Sequence, residues 1–368
     1  MKRIIVTVLT FIAVMTLVSH FSFDVYAEEA NAEPEGIDEI SGQVDEILSD
    51  YNIYFSLDDV DEISLEGIGN IIKEALMTRI TAPFHLLGII IIIAIFSAFT
   101  ENLCSTTLGK NGDGMFRLIY TLISVAVLSK PLLECFERSA AIMETGGQFM
   151  LVFIPVFAGL SLFTGGITTI GAYNMITLTA AEFMVEIAKN VYIPILSMTM
   201  VLSVISSIYE NNSLEMVINT ARKIIVWTFT IMATLLTGFL TMKATVSASA
   251  DTFATKSAKF MITGFVPVIG SAVSDAYTTV KGSLSVMKCT TGFAGAAAVI
   301  LIVLPPIIEL AVYRIVLWIG TAIAEIFSVK PLGKLLKGID GGVSIAISIM
   351  TAFSLIFIIS TAIIMKAE

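Results

Sequence analysis

The chain has 368 residues, 56% of them hydrophobic, and a formal net charge of −10 from 21 basic and 31 acidic side chains. Its mean hydropathy of +0.90 means more apolar surface than a soluble domain of this length buries, which excludes a water-soluble globular protein and leaves a polytopic membrane protein. Two histidines, His20 and His85, and three isolated cysteines, Cys104, Cys135 and Cys289, offer no triad and no metal site, so no catalytic residue, metal or cofactor is expected.

Taken from the N-terminus, Lys2 and Arg3 precede the apolar run Ile4–Val18, and Val25-Tyr26-Ala27 supplies small residues at the positions a signal peptidase reads. The expectation is a signal peptide over 1–27, cleaved after Ala27, with an uncleaved anchor as the alternative. From Glu28 to Ile72 fourteen carboxylates occur without a single Lys or Arg, leaving 21 basic and 17 acidic residues in the rest of the chain. Segment 28–81 is expected to be exported and helical in part, since Ile37, Ile40, Val44, Ile47 and Leu48 share one helical face and Ile68, Ile71, Ile72, Leu76 and Ile80 another. It is either a solvated tail or an acidic docking surface for an extracytoplasmic partner.

Residues 82–368 form the polytopic domain. Charge-free runs at Ala82–Thr100, Asn190–Tyr209, Ile224–Met242, Cys289–Ile308 and Gly341–Met365 each meet the roughly 20 residues a helical span needs. Thr145–Ala181 is also uncharged and too long for one span, and Met115–Leu133 is a weaker run with Arg117 and Lys130 near its ends. The predicted fold is an all-α polytopic membrane helix bundle of about six to eight spans. Lys110 and Arg117, Arg222 with Lys223, and Lys330, Lys334 and Lys337 mark cytoplasmic loops by the positive-inside rule, which puts the C-terminus outside.

Two stretches resemble each other. FIPV at Phe153–Val156 matches FVPV at Phe265–Val268, Thr168-Thr169-Ile170 matches Thr278-Thr279-Val280, and Pro194 falls opposite Pro306, all 110 to 112 residues apart. The expected unit is span, broken segment, span, in halves of about 115–210 and 222–318. Paired Gly/Pro interruptions of this kind mark re-entrant or discontinuous helices lining a midplane cavity, because irregular backbone at membrane depth survives only against protein or water. Candidate helix-break residues are Pro155, Gly165, Gly166, Pro194, Gly264, Pro267, Gly270, Asp275, Pro305 and Pro306. Asp275 could equally cap the helix that begins near it.

Charges beside apolar runs are costly in hydrocarbon and mark function or pairing. Glu182, Glu186 and Lys189 fall at spacings of four and three and share a helix face, whereas Glu309 and Arg314, five apart, do not form a favoured helical pair and look to other helices. No Walker A spacing occurs, since GKNGDG at Gly109–Gly114 has only the glycines of a turn. Any ATP-driven step would use another protein.

SAKFMITGFVPVIGSAVSDAYTTVKGSLSVMK, the upstream IPVFAGLSLFTGG, the IPILSMTMVLSVISSIYE run and KPLG at Lys330–Gly333 together resemble the stage III sporulation protein AE family of endospore-forming Firmicutes. The likeness covers most of the chain after about Ala82. The resemblance implies a multi-pass component of a channel-like, secretion-like complex between mother cell and forespore, in the mother-cell-derived membrane around the forespore. It also implies partners: the other stage III sporulation AA to AH proteins, among them a separate ATPase and ring-forming subunits, and indirectly the forespore protein stage II sporulation protein Q. A permease-like subunit is the leading expectation. A stand-alone secondary transporter or a membrane scaffold acting through the exported acidic segment is the alternative.

Overall fold

The computed structural model describes residues 81–107, 110–162, 167–208, 212–265 and 270–366. The signal peptide, nearly all of the exported segment, Gly165, Gly166 and Pro267 lie outside them. In chain order the helices are α1 (Thr81–Thr107), α2 (Lys110–Leu162), α3 (Ile167–Ile187), a π turn (Ala188–Tyr192), α4 (Ile193–Ile208), α5 (Asn212–Phe265), α6 (Gly270–Ile326) and α7 (Lys330–Lys366). Among the described residues only the turn Phe327–Val329 is non-helical. Six stretches are long and apolar enough to cross a membrane, one of them running from α3 through the π turn into α4. The fold is an all-α polytopic bundle.

Three helices are far longer than a span requires. With 53, 54 and 57 residues, α2, α5 and α6 run roughly 80 Å at a rise of 1.5 Å per residue, against a hydrocarbon core of about 30 Å. Interior prolines do not end them: α2 continues through Pro131 and Pro155, and α6 through Pro305 and Pro306.

Helix α7 sits at the centre, against α2, α4, α5 and α6. Greasy surface alone does not hold helices together in lipid, so close van der Waals fit and polar contacts carry the assembly. Glycines provide the fit. Along the antiparallel pair α2/α6, Gly295 receives the ring of Phe153 and Gly292 that of Phe157, and Gly146 of α2 lies under Phe353 of α7. Between α2 and α3, Gly147 abuts Val185. Phe149, Phe153 and Phe157, one turn apart on α2, stack with centroids 5.5 Å apart at each step, Phe357 meets Phe149 and Phe153 edge-on, and Tyr173 of α3 closes the ladder on Phe157. Such pairs contribute about 0.5–1.5 kcal/mol each beyond their buried area.

The reversal from α6 to α7 has a defined geometry. Ser328 takes φ 60, its N–H donates to the Glu325 carbonyl at 3.0 Å, and Val329 N–H donates to Ala324 O at 2.8 Å. That bond pattern is a Schellman cap, normally built on glycine. KPLG is therefore the first turn of α7, with Pro331 where a helix start tolerates its missing N–H.

The first of the two expected halves covers α2, α3, the π turn and α4, and the second covers α5 and most of α6. Helix α3 lies along α2, whereas α6 packs chiefly on α7 and α2. Pro155 lies inside α2, and Pro267 falls between the end of α5 and the start of α6.

Candidate functional site

The polar chemistry of the bundle lies where α2, α6, α7 and the π turn meet. Glu309 of α6 is buried, with its side chain 4% exposed, and Arg138 Nη2 of α2 donates to its Oε1 at 2.6 Å. The arginine side chain is 45% exposed, so it spans from the carboxylate outwards, as a long cationic side chain does in lipid. Cys135, one turn before Arg138, and Tyr313, one turn after Glu309, lie within interaction range of the pair. Ser139 Oγ donates to the Cys135 carbonyl at 2.7 Å, and Tyr192 of the π turn is buried.

Five residues along α6, Arg314 Nε donates to Asp340 Oδ1 of α7 at 3.0 Å, with side chains 15% and 28% exposed. Five residues turn an α-helix through about 500°, so Glu309 and Arg314 point roughly 140° apart. That is why one serves α2 and the other α7. Lys189 Nζ reaches Glu144 Oε1 of α2 at 2.9 Å, and Asn190 donates to Glu186 at 2.5 Å. Near the turn, Lys337 pairs with Glu325 at 2.7 Å, both exposed.

The helix-break candidates fall into three groups. Pro155 is exposed inside α2, Pro305 is half-buried and Pro306 buried inside α6. Pro194, the second residue of α4, lies two residues beyond the end of the π turn. Proline there has no N–H for the Asn190 carbonyl and its ring crowds that oxygen, and the wider π turn relieves the crowding. Gly264 is next to last in α5, Gly270 opens α6, and Asp275 lies in the second turn of α6. Glu182 is exposed on α3. Among the described residues no three metal-ligating side chains converge.

Sequence reasoning picked out Glu309, Arg314 and Lys189 without their partners. Arg138 follows Glu134 and Glu137, and Asp340 lies three residues after Lys337, so both read as ordinary solvated positions, while Glu144 stands alone at the edge of the uncharged run Thr145–Ala181. It also passed over Gly338 and Gly342, a small-xxx-small pair on α7. Methyl groups there would overlap Ser203 Oγ and come within 2.7 Å of Thr199 Oγ1 on α4. Both hydroxyls bond back to their own helix, at Thr199 O and Leu196 O, which leaves a small, satisfied surface for α7 to approach.

The family model described as stage III sporulation protein AE matches residues 52–368. A relative, the stage III sporulation protein AE of Bacillus subtilis (strain 168), is 23% identical over 296 residues, which is 79% of this chain and 73% of that protein. No solved structure matches.

Proposed function

The chain belongs to the stage III sporulation protein AE family, and from that premise we propose that it is a permease-like, non-enzymatic subunit of a channel-like complex between mother cell and forespore. It works in the mother-cell-derived membrane around the forespore. The observation that supports the reading most is Glu309, a carboxylate nearly sealed among apolar helices and held by Arg138 from another helix. Charges kept at membrane depth despite their cost mark solute and ion paths.

The partners in this reading are the other stage III sporulation AA to AH proteins. A separate ATPase among them supplies the nucleotide chemistry that this sequence lacks, ring-forming subunits extend the path, and stage II sporulation protein Q meets the complex from the forespore. Passage of small solutes through liposomes holding this chain with those partners tests the reading. Omission of this chain is expected to abolish passage, and a Glu309→Gln variant of equal insertion to reduce it. Undiminished passage without the chain would overturn the proposal.

A further inference from the structure

Helix register fixes the depth of one polar face. Helix α3 runs antiparallel to α2, with Val185 at Gly147, Lys189 at Glu144 and Tyr173 at Phe157. Glu186 and Glu182 therefore come level with residues near 146–150 of α2. Gly146 lies under Phe353 of α7, and Phe149 meets Phe357. Those two phenylalanines are at the middle of Gly341–Met365, a charge-free stretch of roughly 37 Å at 1.5 Å per residue, a full hydrocarbon core.

Near mid-bilayer, then, Glu182, Glu186, Gln148, Lys189 and Asn190 are all exposed, with Glu144 half-buried among them. Lipid does not tolerate such a face. Three carboxylates stand here against one ammonium, and Lys189 is already engaged by Glu144. Arg138, nearby on α2, is engaged by Glu309. A second copy laid dry against this face would bring the same excess of negative charge and no free cation, which burial of charge forbids.

Backbone chemistry points the same way. Pro155 is exposed in α2, three turns beyond Glu144 and on the same side as Gln148. Having no N–H, it leaves the Leu151 carbonyl without its helical donor, and at membrane depth that oxygen needs protein or water. We propose that the outward face of α2, α3 and the π turn is the wall of a water-filled path that favours cations over anions. The inference rests on the conduit reading and names its lining and charge preference, as rings of carboxylates do in cation-selective pores.

The test uses the full chain in sporulating-cell membranes, with the native cysteines replaced and single cysteines at Gln148 or Glu182, and at Met198 or Trp227 as outward apolar controls. A cationic, water-soluble methanethiosulfonate is expected to label the two wall positions roughly tenfold faster than an anionic one and to leave the controls unlabelled. Glu186→Gln is expected to shrink that ratio. Labelling of the wall only by a lipid-soluble maleimide would mean lipid covers the face. Protection from every reagent would mean a protein partner covers it. Either result overturns the proposal. Labelled wall cysteines that leave solute passage unchanged also overturn it while the conduit reading stands. A lack of passage in the unsubstituted complex defeats the conduit reading separately, because the labelling reports water at the face regardless.

Discussion

Arg138 and Glu309 do not share the cost of their pairing equally. Glu309 has a side-chain exposure of 4% and Arg138 one of 45%, so losing the arginine strands a carboxylate among apolar helices, whereas losing the carboxylate leaves a guanidinium that still reaches outwards. Arg138→Met is expected to destabilise by about 3–5 kcal/mol, as stranding one buried partner does. Glu309→Gln keeps an acceptor and is expected to cost only about 1–2 kcal/mol. The thermal midpoints of the two full-length variants in detergent measure the difference, and a larger drop for Glu309→Gln would mean that the guanidinium dominates the pair. At this scale the sequence was half legible. Glu309 stood out because apolar runs flank it on both sides, and Arg138 did not because Glu134 and Glu137 surround it with the look of a solvated turn. A pair formed across 171 positions leaves no local signal.

Helix-to-helix approach is set by positions where a single methyl would not fit. At Gly338 an added Cβ overlaps Ser203, whereas at Gly88 of α1 it meets nothing within 4 Å. Gly338→Ala is thus expected to lower stability by about 1–3 kcal/mol through overpacking. Gly88→Ala should be neutral or gain up to about 1 kcal/mol, the helix propensity of alanine over glycine. Equal midpoints for the two variants would show that α4 and α7 yield freely. The Ser328 cap makes a second test of element geometry: Ser328→Gly is expected to match or exceed the parent in thermal midpoint, and Ser328→Val to fall below it, because a β-branched side chain resists positive φ. Helix existence was legible in the apolar runs, and helix endings were less so. Proline was taken as a break in both halves, yet α2 and α6 pass through theirs, since neighbouring helices hold the chain on course and a proline removes only one bond of the ladder.

At the scale of the whole molecule, composition made the membrane class plain and the apolar runs gave most of the spans. Lengths could not be read, because the extensions of α2, α5 and α6 beyond one membrane thickness are helical without being uniformly apolar, and hydropathy sees only the apolar part. Packing was equally hidden: the partners of α3 and α6 depend on which faces carry glycine notches and aromatic rings. Crossing parity is the global property that follows. A chain that crosses with all six of its apolar stretches returns to the side on which Thr81 begins, so an exported segment before α1 would put the C-terminus outside. The α6–α7 turn, with Lys330, Lys334 and Lys337 close by, then lies inside, as the positive-inside rule requires. A phosphatase active only outside the cytoplasm, fused after Glu368, is expected to be active, and a cysteine at Ser328 to resist impermeant thiol reagents in intact cells. An inactive fusion with a protected Ser328 cysteine would mean that α7 does not complete a crossing, which its central position between α2, α4, α5 and α6 argues against. An inactive fusion with a reactive Ser328 cysteine would invert the bundle, and with it the side from which the polar face of α2 and α3 opens.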